Sequence, residues 1–172
     1  MDDDADQAIL LHIRSLRRFA IALVGNPADA DELVQECLTR TIERVRVSEA
    51  GEIANLHAYL FRTLRNLWTN QIARRKTAGA VVALEDAPNE LAAPPCQPHR
   101  IEASDLIASL DRLPHGQREV ILLIALEGVS YQEAADILSV PVGTVMSRLY
   151  RGRETLRQAM SGTTVARERR VE

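Results

Sequence analysis

Apolar residues recur along most of the chain at three- and four-residue intervals, the spacing of a helix with one buried face. From about Gln7 to Val24, Ile9, Leu10, Ile13, Leu16, Phe19, Ala20 and Leu23 keep that interval until Gly25-Asn26-Pro27 breaks it. Asp2, Asp3, Asp4 and Asp6 precede this helix, where negative charge suits its amino end. A second helix, capped by Asp29 or a neighbour, runs to about Val45 on a stripe of Leu33, Val34, Cys37, Leu38, Ile42 and Val45. Its opposite face carries Asp31, Glu32, Gln35, Glu36, Arg40 and Glu43, a pattern that taken alone marks a solvated face more often than a partner surface. After turn chemistry at Ser48 and Gly51, Asn55 caps a third helix that reaches Lys76 and is about 30 Å long. Leu60, Phe61, Leu64, Leu67, Trp68 and Ile72 mark its buried side, and Arg62, Arg65, Asn66, Thr69 and Asn70 fall on the other.

Residues 78–100 lose the period. Pro88, Pro94, Pro95 and Pro98 accompany Glu85, Asp86 and Glu90, which reads as an extended, mildly acidic linker. Helical spacing resumes near Ile101, where Ser104 caps a helix carrying Leu106, Ile107 and Leu110 that ends at Leu113-Pro114. The next helix spans Gly116 to Glu127 with Val120, Leu123, Ile124 and Leu126 inward, and Gly128 ends it.

Ser130 followed by Glu133 has the capping-box spacing, and Ala134 and Ala135 are small enough for a close helix crossing. Pro141 suits the first turn of the last helix. Val145 and Leu149 then face inward, leaving Met146, Ser147, Arg148, Tyr150 and Arg151 outward. That pattern is a helix-turn-helix whose second helix fits a DNA major groove. Ser139 stands where such turns commonly place glycine, so a slightly different backbone is expected there. The predicted fold is all-α: two small helical domains, 7–77 and 101–160, joined by the linker 78–100 and followed by a disordered tail, 161–172.

The formal net charge of -3 argues against nucleic acid only until its distribution is considered. No acidic residue lies between Ile53 and Leu84, while Arg62, Arg65, Arg74, Arg75 and Lys76 do. Arg148, Arg151, Arg153 and Arg157 form a second basic cluster with only Glu154 among them. Two local basic surfaces therefore survive on a mildly acidic chain. Half of the aromatic residues, Tyr59, Phe61 and Trp68, lie in the third helix. Cationic side chains neutralise phosphates, amides read base edges and aromatics stack on exposed bases. Core aromatics beside a solvated basic face satisfy the same pattern, and periodicity alone does not choose.

Enzyme chemistry finds no support. His12, His57, His99 and His115 are scattered, and no nucleophile-elbow, Walker or glycine-rich phosphate motif occurs. Cys96 and His99 form a C-x-x-H pair without the second pair a zinc site needs, so neither a metal nor any other cofactor is expected. Cys37 sits on an apolar stripe as a small core residue. Two cysteines and no signal-peptide pattern point to a reduced, cytoplasmic setting, and Val120 to Leu126 is too short for membrane insertion.

Three segments in this order carry a family resemblance: DADELVQECLTRTIERV (Asp29 to Val45), NLHAYLFRTLRNLWTNQIARR (Asn55 to Arg75) and SYQEAADILSVPVGTVMSRLYRGRETL (Ser130 to Leu156). With the linker between them, the chain from about Leu11 to Met160 resembles the extracytoplasmic-function group of the bacterial sigma-70 family. The resemblance implies that Gln35 and Glu36, with Asp31 and Arg40 beside them, dock on the β′ clamp helices of core RNA polymerase. It implies that Arg62, Arg65, Asn66, Thr69, Asn70, Arg74 and Arg75 meet the promoter minus-10 element as the strands part. The loop Val47 to Asn55 would capture a flipped base, and the linker would thread towards the polymerase active centre. Ser130, Tyr131, Thr144, Met146, Ser147, Arg148, Tyr150, Arg151 and Arg153 would read the minus-35 element as duplex, near the β flap. Met146 stands where many relatives carry a basic side chain. An anti-sigma protein is the further partner implied.

Two other readings fit parts of this pattern. An ordinary helix-turn-helix regulator leaves the basic-aromatic helix unexplained. A mimic that titrates an anti-sigma protein predicts eroded basic residues, yet Arg62, Arg65, Arg148 and Arg151 are present. A free repressor needs many phosphate contacts of its own, whereas a sigma factor borrows polymerase for most of its affinity. The isolated chain should accordingly bind promoter DNA weakly and with steep salt dependence, and the holoenzyme specifically. Nanomolar promoter binding by the purified chain alone, measured by fluorescence anisotropy, would contradict this.

Overall fold

The computed structural model describes residues 2–47, 53–77 and 108–168, and all regular structure among them is helical. The chain forms two compact units. In the first, α1 (Asp2–Val24), α2 (Pro27–Val47) and α3 (Leu56–Thr77) pack on one another as a three-helix bundle. Leu16, Phe19 and Ala20 of α1 meet Ala30, Leu33 and Cys37 of α2 and Leu60, Phe61 and Leu64 of α3 in a fully closed core. Phe19 and Phe61 cross edge to face with ring centroids 5.2 Å apart, the geometry favoured by the aromatic quadrupole. His57 stacks on Phe61 at 4.5 Å and meets His12 at 5.3 Å, which continues the ring column. Burial, aided by the neighbouring His57, lowers the His12 pKa below its ordinary value.

The α1 stripe is narrower than its spacing predicts, since Leu10 remains 61% exposed. Helix α1 also starts earlier, so the amino-terminal aspartates belong to the helix rather than preceding it. Gly25 takes φ 84° and its N–H closes on the Ile21 carbonyl at 2.8 Å. The cap of α2 is Asn26, whose Oδ1 accepts from the Ala28 N–H at 2.8 Å, and not Asp29. Pro27 holds the first helical position, where its missing N–H costs nothing, and this moves the cap one residue ahead of it. Asn55 caps α3 as predicted, accepting from the Ala58 N–H at 2.9 Å. The Cys37 thiol donates to the Leu60 carbonyl at 3.4 Å, and burial pushes its pKa up to about 12, as suits an inert core residue.

Further along the chain, residues 108–111 close a helix and lead to α4 (His115–Ile121), a π-helical turn (Leu122–Leu126), α5 (Tyr131–Leu138) and α6 (Val142–Glu168). Helices α4 and α6 both begin on a proline whose carbonyl accepts the first helical bonds. The continuous helix predicted to Glu127 instead widens: the Glu127 N–H reaches Leu122 and the Val129 N–H reaches Leu123, both at 3.2 Å. This extra residue per turn rotates the stripe. Ile121 and Leu122 join Val120 and Leu123 in the interior, and Ile124 and Leu126 are left half-buried. Helix α6 lies on α4 through Gly152, where a Cβ atom would come within 2.6 Å of Ile121 Cδ1.

Ser130 caps α5, its hydroxyl accepting from the Glu133 N–H at 3.1 Å, and Ala134 and Ala135 are buried. The turn after α5 keeps the left-handed backbone despite carrying serine: Ser139 has φ 54°, and the Val140 N–H returns to the Ala135 carbonyl at 3.1 Å. The helix α6 is regular to Glu168, so the tail expected to be disordered after Met160 is helical through that residue. No proline interrupts residues 161–168, and extending an existing helix adds one bond for each residue fixed. The loop residues 48–52, the linker 78–100, the Ser104 cap with Leu106 and Ile107, and the Cys96–His99 pair lie outside the described residues.

Left-handed backbone costs a non-glycine residue roughly 1–2 kcal/mol. Ser139→Gly should therefore raise stability by about 0.5–1 kcal/mol after the unfolded-state entropy of glycine is offset. Gly128 has φ 69° with open space where a side chain would stand, so Gly128→Ala should lower stability through backbone strain alone. Denaturant unfolding followed by circular dichroism measures both.

Candidate nucleic-acid and partner interfaces

Outward on α2 stand Asp31, Gln35 and Arg40, with Glu36 half-exposed. Their charges are already engaged. Arg17 of α1 grips Asp31 through Nε at 2.6 Å and Nη2 at 3.1 Å, and this fork holds the Asp31 carboxyl below its ordinary pKa. Arg40 reaches back one turn to Glu36 Oε1 at 2.6 Å. The outer surface of α2 is therefore a row of paired charges around an exposed amide, Gln35.

On α3, Arg62, Asn66, Thr69, Asn70 and Arg74 are exposed and Arg65 is half-exposed, all on one side of the helix. The Thr69 hydroxyl donates to the Arg65 carbonyl at 2.9 Å, and Arg65 lies 3.5 Å from Asn66 Oδ1. The side chain of Arg75 lies outside the described residues. Phe61 and Trp68 are 0% and 6% exposed, so both belong to the core and neither is free to stack on a base.

On α6, Met146, Tyr150, Arg151 and Arg153 are exposed, as is Tyr131 at the start of α5. Four other expected reading residues are used within the fold. Ser130 caps α5, and the Ser147 hydroxyl donates to the Thr144 carbonyl at 3.0 Å, both residues being half-buried. Arg148 is half-buried with its guanidinium against the bare Cα of Gly116, where a Cβ would lie 3.1 Å from Arg148 Cζ. Arg157, read from sequence as part of the basic cluster, is forked onto Glu154 at 3.0 and 2.8 Å. With Gln158 adding a bond at 2.8 Å, Arg157 brings the Glu154 pKa down to about 2.

A family model described as sigma-70 region 2 matches residues 8–78, and one described as sigma-70 region 4 matches residues 104–156. The ECF RNA polymerase sigma factor EcfG of Rhodopseudomonas palustris is 38% identical over 91% of this chain and 84% of its own. The ECF RNA polymerase sigma factor SigE of Mycolicibacterium smegmatis is 33% identical over 91% of this chain and 61% of its own. The sigma factor RpoE of Bartonella quintana, solved in complex with the anti-sigma factor NepR, superimposes with a TM-score of 0.77 at 33% identity, covering 92% and 97% of the two chains. The chain belongs to the extracytoplasmic-function group of the sigma-70 family.

As a sigma factor it has core RNA polymerase and promoter DNA as partners. The region 2 match covers the three-helix bundle, and the region 4 match covers α4 to α6 as far as Leu156. Sequence reading missed Arg17, which ties α1 to the outer row of α2. No local pattern encodes that pair, because it joins neighbouring helices through an interhelical fork. Among the described residues no group of His, Cys, Asp and Glu could hold a metal ion, and no helix is long and apolar enough to cross a membrane.

Glu154 gives a direct test of the α6 surface. Its depressed pKa favours the folded state above the ordinary carboxylate range, and that contribution is lost as pH falls through about 2. In Arg157→Ala, carboxyl-carbon NMR should find Glu154 titrating back towards about 4. An unchanged titration would mean that the fork does not persist in solution.

Proposed function

We propose that this sigma factor divides promoter recognition between two domains, residues 7–77 and 101–160. The row Asp31, Gln35, Glu36 and Arg40 docks on the β′ clamp helices of core polymerase. Paired charges flanking a free amide suit an interface in which ions exchange partners rather than lose them. Arg62, Arg65, Asn66, Thr69, Asn70, Arg74 and Arg75 hold the minus-10 element as the strands separate, and residues 47–55 receive an extruded base. The second unit sits near the β flap and reads the minus-35 element as duplex through α6.

The observation that carries this reading is the α3 surface. Its outward side presents cations, amides and a hydroxyl in one row, while Phe61 and Trp68 are spent on the core. Such a surface favours phosphates and base edges, which parting strands supply together. In the second unit, Arg151 and Arg153 supply immediate charge, Tyr131, Met146 and Tyr150 supply contact area, and Arg148 joins them when its guanidinium leaves Gly116. Ser130, Thr144 and Ser147 contribute through the helix ends and turns they stabilise. The relative from Bartonella quintana was solved with an anti-sigma factor, which supports a protein of that kind as the inhibitor of this chain.

Run-off transcription with sigma-free core polymerase on fragmented genomic DNA tests the whole scheme. The chain should bind core and initiate at discrete sites. Failure to bind core defeats the reading, and binding without initiation favours a mimic. Gln35→Ala with Glu36→Ala should weaken core binding about tenfold or more while circular dichroism stays unchanged. Arg151→Ala should reduce transcription chiefly at promoters that depend on the upstream element.

A further inference from the structure

Three large apolar side chains converge on the outer surface of the helix-turn-helix. Met146 is 50% exposed, Tyr150 74% and Tyr131 40%. With Leu149 and Arg153 they line one open hollow of about 290 Å³. Single exposed apolar residues are ordinary, but three that share one hollow on the outward side of a docking helix form a contact surface. None of them holds the fold together: the inward side of α6 is carried by Val145, Leu149 and Gly152, all buried.

The charge around the hollow selects its occupant. Arg153 borders the apolar residues and is exposed, Arg151 is exposed one residue beyond Tyr150, and Glu154, the one acidic residue lining the hollow, is neutralised by Arg157, which also lines it. An apolar contact framed by cations suits the major groove, where phosphates border the base edges. The thymine C5-methyl is the apolar group displayed there. Methionine, unbranched and polarisable, can follow that methyl without a fixed rotamer. A basic side chain at this position would seek guanine O6 and N7 instead.

We infer that Met146, backed by Tyr131 and Tyr150, is a specificity-determining residue that reads a thymine methyl group in the upstream promoter element. The inference rests on α6 being the minus-35 reader. A methyl group removed from water against Met146 contributes about fourfold in affinity.

The test uses holoenzyme and a promoter whose upstream element is randomised. Holoenzyme with the natural chain should enrich a T·A pair at one position. Deoxyuridine there, which deletes only the methyl group, should lower affinity about fourfold. Met146→Gln, a polar side chain of similar length at a half-exposed position, should bind thymine and deoxyuridine promoters equally. Met146→Arg should move the preference at that position to guanine.

Enrichment of no upstream element would overturn both the inference and the reading of α6. An enriched element that tolerates deoxyuridine at every thymine would overturn the inference alone. A thymine preference that survives Met146→Gln would also overturn it and give the hollow to a protein partner.

Discussion

The second unit depends on how closely two helices can approach at a single glycine. Gly152 brings α6 onto Ile121 of α4 at a distance that leaves no room for a Cβ. Val145, Leu149 and Gly152 follow one another at helical spacing, so this contact occupies one side of α6 along its first turns. Everything on the opposite side is then committed to water or to a partner. The π-helical turn adjoins the same contact, with Leu122 and Leu123 buried next to Ile121.

What the sequence revealed was mainly what is decided locally. The caps at Asn55 and Ser130, the stop at Gly128 and the inward pair Val145 and Leu149 depend on a few consecutive residues, and all four are in place. The first half of the α2 stripe and the α3 stripe as far as Trp68 were legible for the same reason, while Leu38, Ile42, Val45 and Ile72 are only half-buried and Thr41 is enclosed instead; burial resolved the ambiguity of Phe61 and Trp68 in favour of the core. The left-handed turn was recognisable as a position, but its occupation by serine suggested another backbone; the Val140 to Ala135 bond holds it as it is. Features made between helices could not be read. The Arg17 fork on Asp31 and the rest of Arg148 against Gly116 join residues far apart in sequence. Both change how the candidate site residues present their charge.

Charge pairing also explains how a chain of net charge -3 serves as a DNA-binding partner of polymerase. Asp31 is matched by Arg17, Glu36 by Arg40 and Glu154 by Arg157, each across exposed surface. Exposed pairs of this kind contribute little to stability and exchange readily with other ions. They neutralise Asp31, Glu36 and Glu154 in the isolated chain, while Arg151 and Arg153 of α6 stand exposed. An ion outside the chain can then replace one member of such a pair at small cost.

The separation of duties along α6 also has a consequence for how the family can diversify. Packing rests on Val145, Leu149 and Gly152, while Met146, Tyr150 and Arg151 project from the same turns without supporting the core. Substitutions on the projecting side therefore meet little constraint from packing. The outward surface of α6 can thus change one side chain at a time while every intermediate keeps the same packed helices.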